Sequence, residues 1–286
     1  MRIKLGKEKL IPIGIAVALA IGTIAGVKAY ATPDADTGYR VVCLGDSILG
    51  NVRDDTSVTS VMEKELGFQV FNGCFGGTCA SLSNPTHRRT YYEDSMNLVS
   101  IVDSIVRNDY SIQYYDIAAN NYKLPYFYEA MKGFEDVDFS KAELIFLEHG
   151  VNDYSAGRPL DNKDDSYDTY TYGGALRYSI RELSNAFPNV KIVIVTPTYC
   201  YFVDYMGEWA GDCTTENYGY GVLEEYVNLQ LSIAEEFGLD IIDDYHNLGI
   251  DKDTAKNLTI DGIHLNEEGR ALLAGTLAEF TKEALN

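Results

Sequence analysis

The sequence predicts an α/β protein, a three-layer α/β/α sandwich around a five-stranded, mainly parallel sheet. Three observations carry this. Apolar runs at 40–44, 68–71, 143–148, 191–195 and 239–242 are short enough for strands and read as buried ones. Segments of helical pattern separate them, and such alternation belongs to a parallel sheet covered on both faces. The 255 residues from Thr32 onward suit one domain with a substantial core.

Residues 1–31 stand apart from that domain. Arg2, Lys4, Lys7 and Lys9 make a basic start, Leu10 to Val27 is uncharged, and Ala29-Tyr30-Ala31 is a small-x-small site before Thr32. That is the order of a secretory signal peptide. The alternative is an uncleaved signal anchor, since 18 apolar residues just span a bilayer. Either reading places residues 32–286 outside the cell, because the positive flank stays in the cytoplasm. A membrane is then a partner only through this segment.

In the domain, Arg40 to Leu44 is the first strand, and Gly45-Asp46-Ser47 follows at its carboxyl end. Ser57 to Leu66 is an amphipathic helix stopped by Gly67. Phe68 to Phe71 is the second strand, and a glycine-rich loop follows from Asn72 to Thr78. It lacks the Gly-Lys-Ser/Thr ending of a phosphate loop. An insertion occupies residues 80–140, with helical spacing at Asp94–Val106 and Pro125–Phe134 and many tyrosines. Those rings suit either packing or the lining of a sugar cleft. His87-Arg88-Arg89 is the only compact basic cluster, read as a solvated loop.

Glu143 to Glu148 is the third strand, ending in His149-Gly150-Val151-Asn152-Asp153. Tyr172 to Phe187 is a helix closed by Pro188, and Lys191 to Val195 is the fourth strand. Residues 198–219 read as an irregular insertion carrying Trp209. A helix from Tyr220 to Phe237, a short strand from Leu239 to Ile242 and a last helix from Asn266 to Leu285 complete the chain.

Beyond residue 31 the chain has 18 basic and 42 acidic residues, a net charge of −24. Such a surface repels polyanions, which argues against nucleic acid and anionic polymers as partners. Five cysteines in an exported chain permit two bridges, Cys74–Cys79 and Cys200–Cys213, with Cys43 left over and buried. The paired spacings of a metal site are absent, so neither a metal nor another cofactor is expected.

Four polar loops remain: Gly45-Asp46-Ser47, Gly76-Gly77, Gly150 to Asp153, and Asp261-Gly262-Ile263-His264. Parallel strands bring their carboxyl ends to one edge, so these loops can meet although 217 residues separate Ser47 from His264. A serine, a base and an orienting acid are the parts of an acyl-transfer site. Ser47 is the candidate nucleophile, His264 the base and Asp261 the acid that holds the imidazole. His264 is singled out as the histidine with an acid three residues earlier in a loop. His149 and His246 lie near predicted strand ends, and His149 is expected to make a structural hydrogen bond. Asp46 and Asp153 are expected to brace their loops.

In these blocks the chain resembles the SGNH/GDSL hydrolase family from about residue 39 onward. The family's four signature residues match Ser47, Gly77, Asn152 and His264, in order, with the Asp-x-x-His ending. The resemblance implies a flavodoxin-like sheet and an oxyanion hole from the N–H groups of Ser47 and Gly77 and the Asn152 amide. Gly76 is the neighbouring rival for Gly77. Val151 stands where the family often has threonine, and Leu265 where it often has proline. The implied activity is ester hydrolysis through an acyl-enzyme. The expected substrate is an O-acetylated polysaccharide, with lipase or thioesterase action on longer acyl chains and acyl transfer to a glycan hydroxyl as alternatives. A glycan-binding role with an idle triad is a further class, disfavoured by four intact blocks.

Overall fold

All five residues of the first strand, β1 (Val41–Gly45), are buried, as continuous apolar composition requires of a strand covered on both faces. Our computed structural model describes residues 38–83, 94–119 and 125–286. The proposed signal segment, the His87 cluster and the insertion tyrosines Tyr91, Tyr92 and Tyr122 lie outside these residues. Among the described residues no helix is long and apolar enough to cross a membrane.

β1 is followed by α1 (Ser47–Gly50) and α2 (Val58–Leu66). Ser57 caps α2 by accepting from the Ser60 N–H at 3.2 Å, and Gly67 ends it in the left-handed region at φ 76°. After β2 (Val70–Asn72) the insertion holds α3 (Leu98–Arg107), α4 (Ser111–Ala119) and α5 (Tyr126–Asp136). β3 (Leu144–Glu148), α6 (Val151–Ser155), α7 (Tyr172–Ala186) and β4 (Lys191–Val195) follow. A hairpin of β5 (Tyr201–Val203) and β6 (Trp209–Asp212) precedes α8 (Leu223–Phe237) and β7 (Asp240–Ile242). The chain ends with α9 (Asp244–Asn247), α10 (Ala255–Leu258) and α11 (Glu267–Ala284).

The main sheet has the order β2-β1-β3-β4-β7, with every pair parallel. This is the doubly wound order whose direction reverses between β1 and β3, where ligands bind outside the carboxyl ends. α2 and α11 pack together on one side of the sheet, while α7 packs against α3 and α8. Phe280 of α11 meets Phe146 of β3 edge-on, with centroids 6.1 Å apart. The expected five-stranded sandwich is present.

The sequence reading departs from the structure at several elements. α3 starts at Leu98 rather than Asp94, because Asp94 accepts hydrogen bonds from Ser83 and the Asn97 amide instead of joining the helix. α4 escaped notice because it buries Gln113 and Asp116 rather than an apolar stripe. The predicted start of α8 at Tyr220 moves to Leu223, since Gly219 and Gly221 sit at φ 134° and 119°. The stretch read as irregular contains the antiparallel β5–β6 hairpin.

The proposed cysteine bridges are likewise corrected: all five cysteines are buried free thiols. Cys74 turns its Sγ toward the Cys43 carbonyl at 3.4 Å, and the Cys79 N–H donates to Asn97. Cys200 and Cys213 do approach, at the base of the hairpin. The Cys213 N–H donates to the Cys200 carbonyl at 2.9 Å, and the Cys200 N–H reaches Cys213 Sγ at 3.3 Å.

Candidate active site

The backbone at the end of β1 turns directly into a short helix, and that turn sets a hydroxyl at the carboxyl end of the sheet. Gly45 has no room for a side chain, since a Cβ there would lie 2.8 Å from the Glu148 carbonyl of the neighbouring strand. Asp46 caps the helix by accepting from the Ile48 N–H at 3.0 Å. Ser47 is thereby the first residue of α1, where a helix leaves amide groups without intrahelical partners.

His264 Nε2 lies 3.0 Å from Ser47 Oγ, and its Nδ1 lies 2.7 Å from Asp261 Oδ2. The other Asp261 oxygen accepts from the N–H groups of Ile263 and His264 at 3.1 and 2.8 Å. This loop closes on itself with its carboxylate aimed at the ring. Burial opposes charge on Asp261, but the His264 hydrogen bonds and charge prevail and hold its carboxyl down at about 2. Burial also works against the imidazolium of His264, yet the Asp261 hydrogen bond and charge, with Asp46, raise its pKa above the ordinary histidine value.

Asn152 comes from α6, just beyond β3, and donates one amide hydrogen to Asp46 Oδ2 at 2.9 Å. An amide nitrogen carries two hydrogens, so one remains to face a ligand. Gly76 and Gly77 differ in their surroundings. The Gly76 N–H donates to Tyr126 Oη at 2.7 Å, and a Cβ on Gly76 would strike Asn51. Gly77 sits at φ 76° with open space where a Cβ would project. Gly77 is the position the family pattern singles out.

Asp46 and Asp153 brace their loops as expected. Asp153 accepts from the N–H groups of Ala80 and Ser81 at 2.7 and 3.0 Å and from the Ser81 hydroxyl at 2.6 Å. His149 is buried, and burial pushes its ring down to about 3. Its carbonyl, not its ring, makes the structural bonds, accepting from Tyr172 Oη and the Gln230 amide. His246 corrects the criterion that singled out His264. Asp243 also stands three residues before it, and its carboxylate meets His246 Nδ1 at 2.8 Å. His246 lies exposed on α9 with Asp243 half-buried at its cap, and the serine meets His264.

Two side chains at the site were missed in the sequence. Tyr126 of α5 reaches back to hold Gly76 and also donates to Asn51 at 3.1 Å. Glu148 was read only as the end of a strand. Its carboxyl is buried against Asp46, accepting from the Asp46 N–H at 3.3 Å. Burial and the Asp46 charge push Glu148 well above the usual carboxylate range, and burial raises Asp46 to about 6. A carboxyl at the end of a strand that is otherwise apolar was the available signal.

The sequence matches the GDSL-like Lipase/Acylhydrolase family over residues 43–272. No curated protein matches the chain. Among solved structures it resembles a protein of Lactobacillus plantarum with a TM-score of 0.60 at 18% identity, covering 86% of this chain and 98% of that one. It also resembles a possible lipase of Chitinophaga pinensis, with a TM-score of 0.55 at 20% identity and coverage of 85% and 97%. At these identities the structural likeness speaks for the fold. The family match spans most of the chain and includes all four polar loops, so this protein belongs to the GDSL-like lipase/acylhydrolase family and is an ester hydrolase.

Proposed function

We propose that the chain is a secreted serine esterase that removes O-acetyl groups from a neutral polysaccharide. The observation that carries the catalytic part is the continuous relay from Ser47 Oγ through His264 to Asp261, with links of 3.0 and 2.7 Å. His264 Nε2 takes the Ser47 proton as the oxygen attacks the ester carbonyl. It returns that proton to the leaving alkoxide, which departs as the alcohol. A water, deprotonated by the same nitrogen, then attacks the acyl-enzyme. The acid is released and Ser47 regains its proton. Asp261 holds the ring in the tautomer that leaves Nε2 free to accept.

The negative oxygen formed at each attack would meet the N–H groups of Ser47 and Gly77 and the free amide hydrogen of Asn152. Such donors accelerate only if they are already aimed, and Asp46 aims Asn152. Asn152→Ala is expected to lower kcat by about 10²–10³-fold with a smaller change in KM. Steady-state kinetics on p-nitrophenyl acetate would check this.

Export rests on the order of residues 1–31, and the neutral glycan on the charge of −24 beyond them. A series of p-nitrophenyl esters of increasing acyl length tests the acyl preference. Activity confined to acetyl is the expected result. Activity that rises to eight or more carbons replaces the deacetylase reading with a lipase one.

A further inference from the structure

The β5–β6 hairpin stands beside the loop that carries the histidine. The Tyr201 N–H donates to the Gly262 carbonyl at 2.9 Å, between Asp261 and His264 in sequence. The Tyr201 ring covers Gly262 closely: a Cβ there would lie 3.0 Å from two ring carbons and 2.3 Å from the Tyr201 carbonyl. Tyr201 also stacks on Trp209, with centroids 5.5 Å apart and planes 13° from parallel. A near-parallel aromatic pair thus runs outward from the catalytic loop.

The outer part of this pair is open. Trp209 is 53% exposed, and beyond it Tyr205 and Met206 at the hairpin tip are 90% and 69% exposed. The hairpin itself is anchored. Phe202 packs against Tyr154 and Tyr218, with centroids 6.4 and 5.8 Å away, and the Cys200–Cys213 backbone bond closes its base. Its turn is held by Asp204, which accepts from the N–H groups of Met206 and Glu208 at 2.8 and 3.0 Å. A preformed apolar face beside a catalytic loop marks a place for ligand.

We propose that Trp209, stacked on Tyr201, forms a subsite for a sugar ring of a neutral glycan, the alcohol portion of the ester cleaved at Ser47. This rests on the deacetylase reading above. The chemistry of the face chooses the occupant. An indole face is flat, apolar and electron-rich, and it complements the C–H bonds on one face of a pyranose. Asp204 and Glu208 on the hairpin, and the −24 charge beyond residue 31, disfavour anionic polymers and anionic lipid surfaces. Among the described residues, Lys252 places a cation near the indole, with Nζ 5.9 Å from the ring centroid.

Trp209 is the only tryptophan in the chain, so intrinsic fluorescence reads this site directly. Full-length Ser47→Ala would be titrated with O-acetylated glucomannan oligosaccharides, the same sugars deacetylated, and phosphatidylcholine vesicles. Saturable change in Trp209 emission with both sugars and none with vesicles is expected. No change with either sugar, or change with vesicles alone, overturns the subsite. In the otherwise unaltered enzyme, Trp209→Ala is expected to lower kcat/KM for acetate release from the oligosaccharide by about 10–100-fold. The same variant keeps p-nitrophenyl acetate hydrolysis within twofold, and Trp209→Phe restores most of the oligosaccharide activity. Equal losses on the two substrates, or no loss on the oligosaccharide, overturn the assignment. Sugar binding seen by fluorescence without acetate release from wild type would sink the deacetylase reading and leave the subsite standing.

Discussion

Ser47→Ala is expected to lower kcat for p-nitrophenyl acetate by about 10⁵-fold or more, to a level set by the oxyanion donors alone. The size follows from the covalent role. Ser47 Oγ is the atom that His264 Nε2 faces at 3.0 Å, and an alanine methyl offers neither electrons nor a proton. Ser47 is buried, but the change removes a single oxygen whose recorded partner is the histidine. The thermal midpoint should therefore stay within a few degrees of wild type. A folded variant retaining wild-type turnover would assign the nucleophile to another residue.

The second large effect is expected at Asp261→Asn, about 10⁴-fold in kcat. An asparagine amide can donate to Nδ1, which drives the ring proton to Nε2, the nitrogen that must accept. The pH profile gives the change its signature. In wild type the acid limb of kcat/KM is expected above the ordinary histidine range, because His264 must be neutral to act and the Asp261 hydrogen bond and charge raise its pKa despite burial. Removing the Asp261 charge shifts that limb to lower pH even as the plateau falls. Linkage predicts a matching stability change. The Asp261 pKa is lowered from 3.8 to about 2 in the fold, so its contribution is complete above about 4 and is lost as pH falls through 2. The gap in thermal midpoint between wild type and variant should close over that range.

Much of the framework could be read from the chain because its signals are local. An apolar run such as Leu144–Leu147 declares a buried strand, and Ser57 with Gly67 brackets a helix within its own sequence. The residues that tune the site are different in kind. Tyr126 finds Gly76 across 50 residues, and Glu148 finds Asp46 across 102. No spacing rule announces such pairs, because the fold alone sets them beside each other. Asp243 and His246 make the converse point. Their spacing repeats that of Asp261 and His264, and position in the fold separates the two pairs. The hairpin was hidden for another reason: its strands are short, glycine breaks one of them, and its exposed rings lack the alternation of a half-buried strand.

The relay also has a history in time. Ser47 follows the first strand, whereas His264 arrives only with the helix that ends the fold. That helix docks by packing α11 on α2, where Arg270 donates to the Thr56 carbonyl at 2.9 Å and to its hydroxyl at 2.7 Å, and back to the Leu265 carbonyl at 2.8 Å. Contacts that join distant parts of a chain form late in folding, after the loop between them has been closed. A nascent chain carries its serine through the synthesis of 217 further residues until His264 is made. Assembly of the relay therefore waits on the docking of α11 against α2, so catalytic competence reports that this long-range contact has formed.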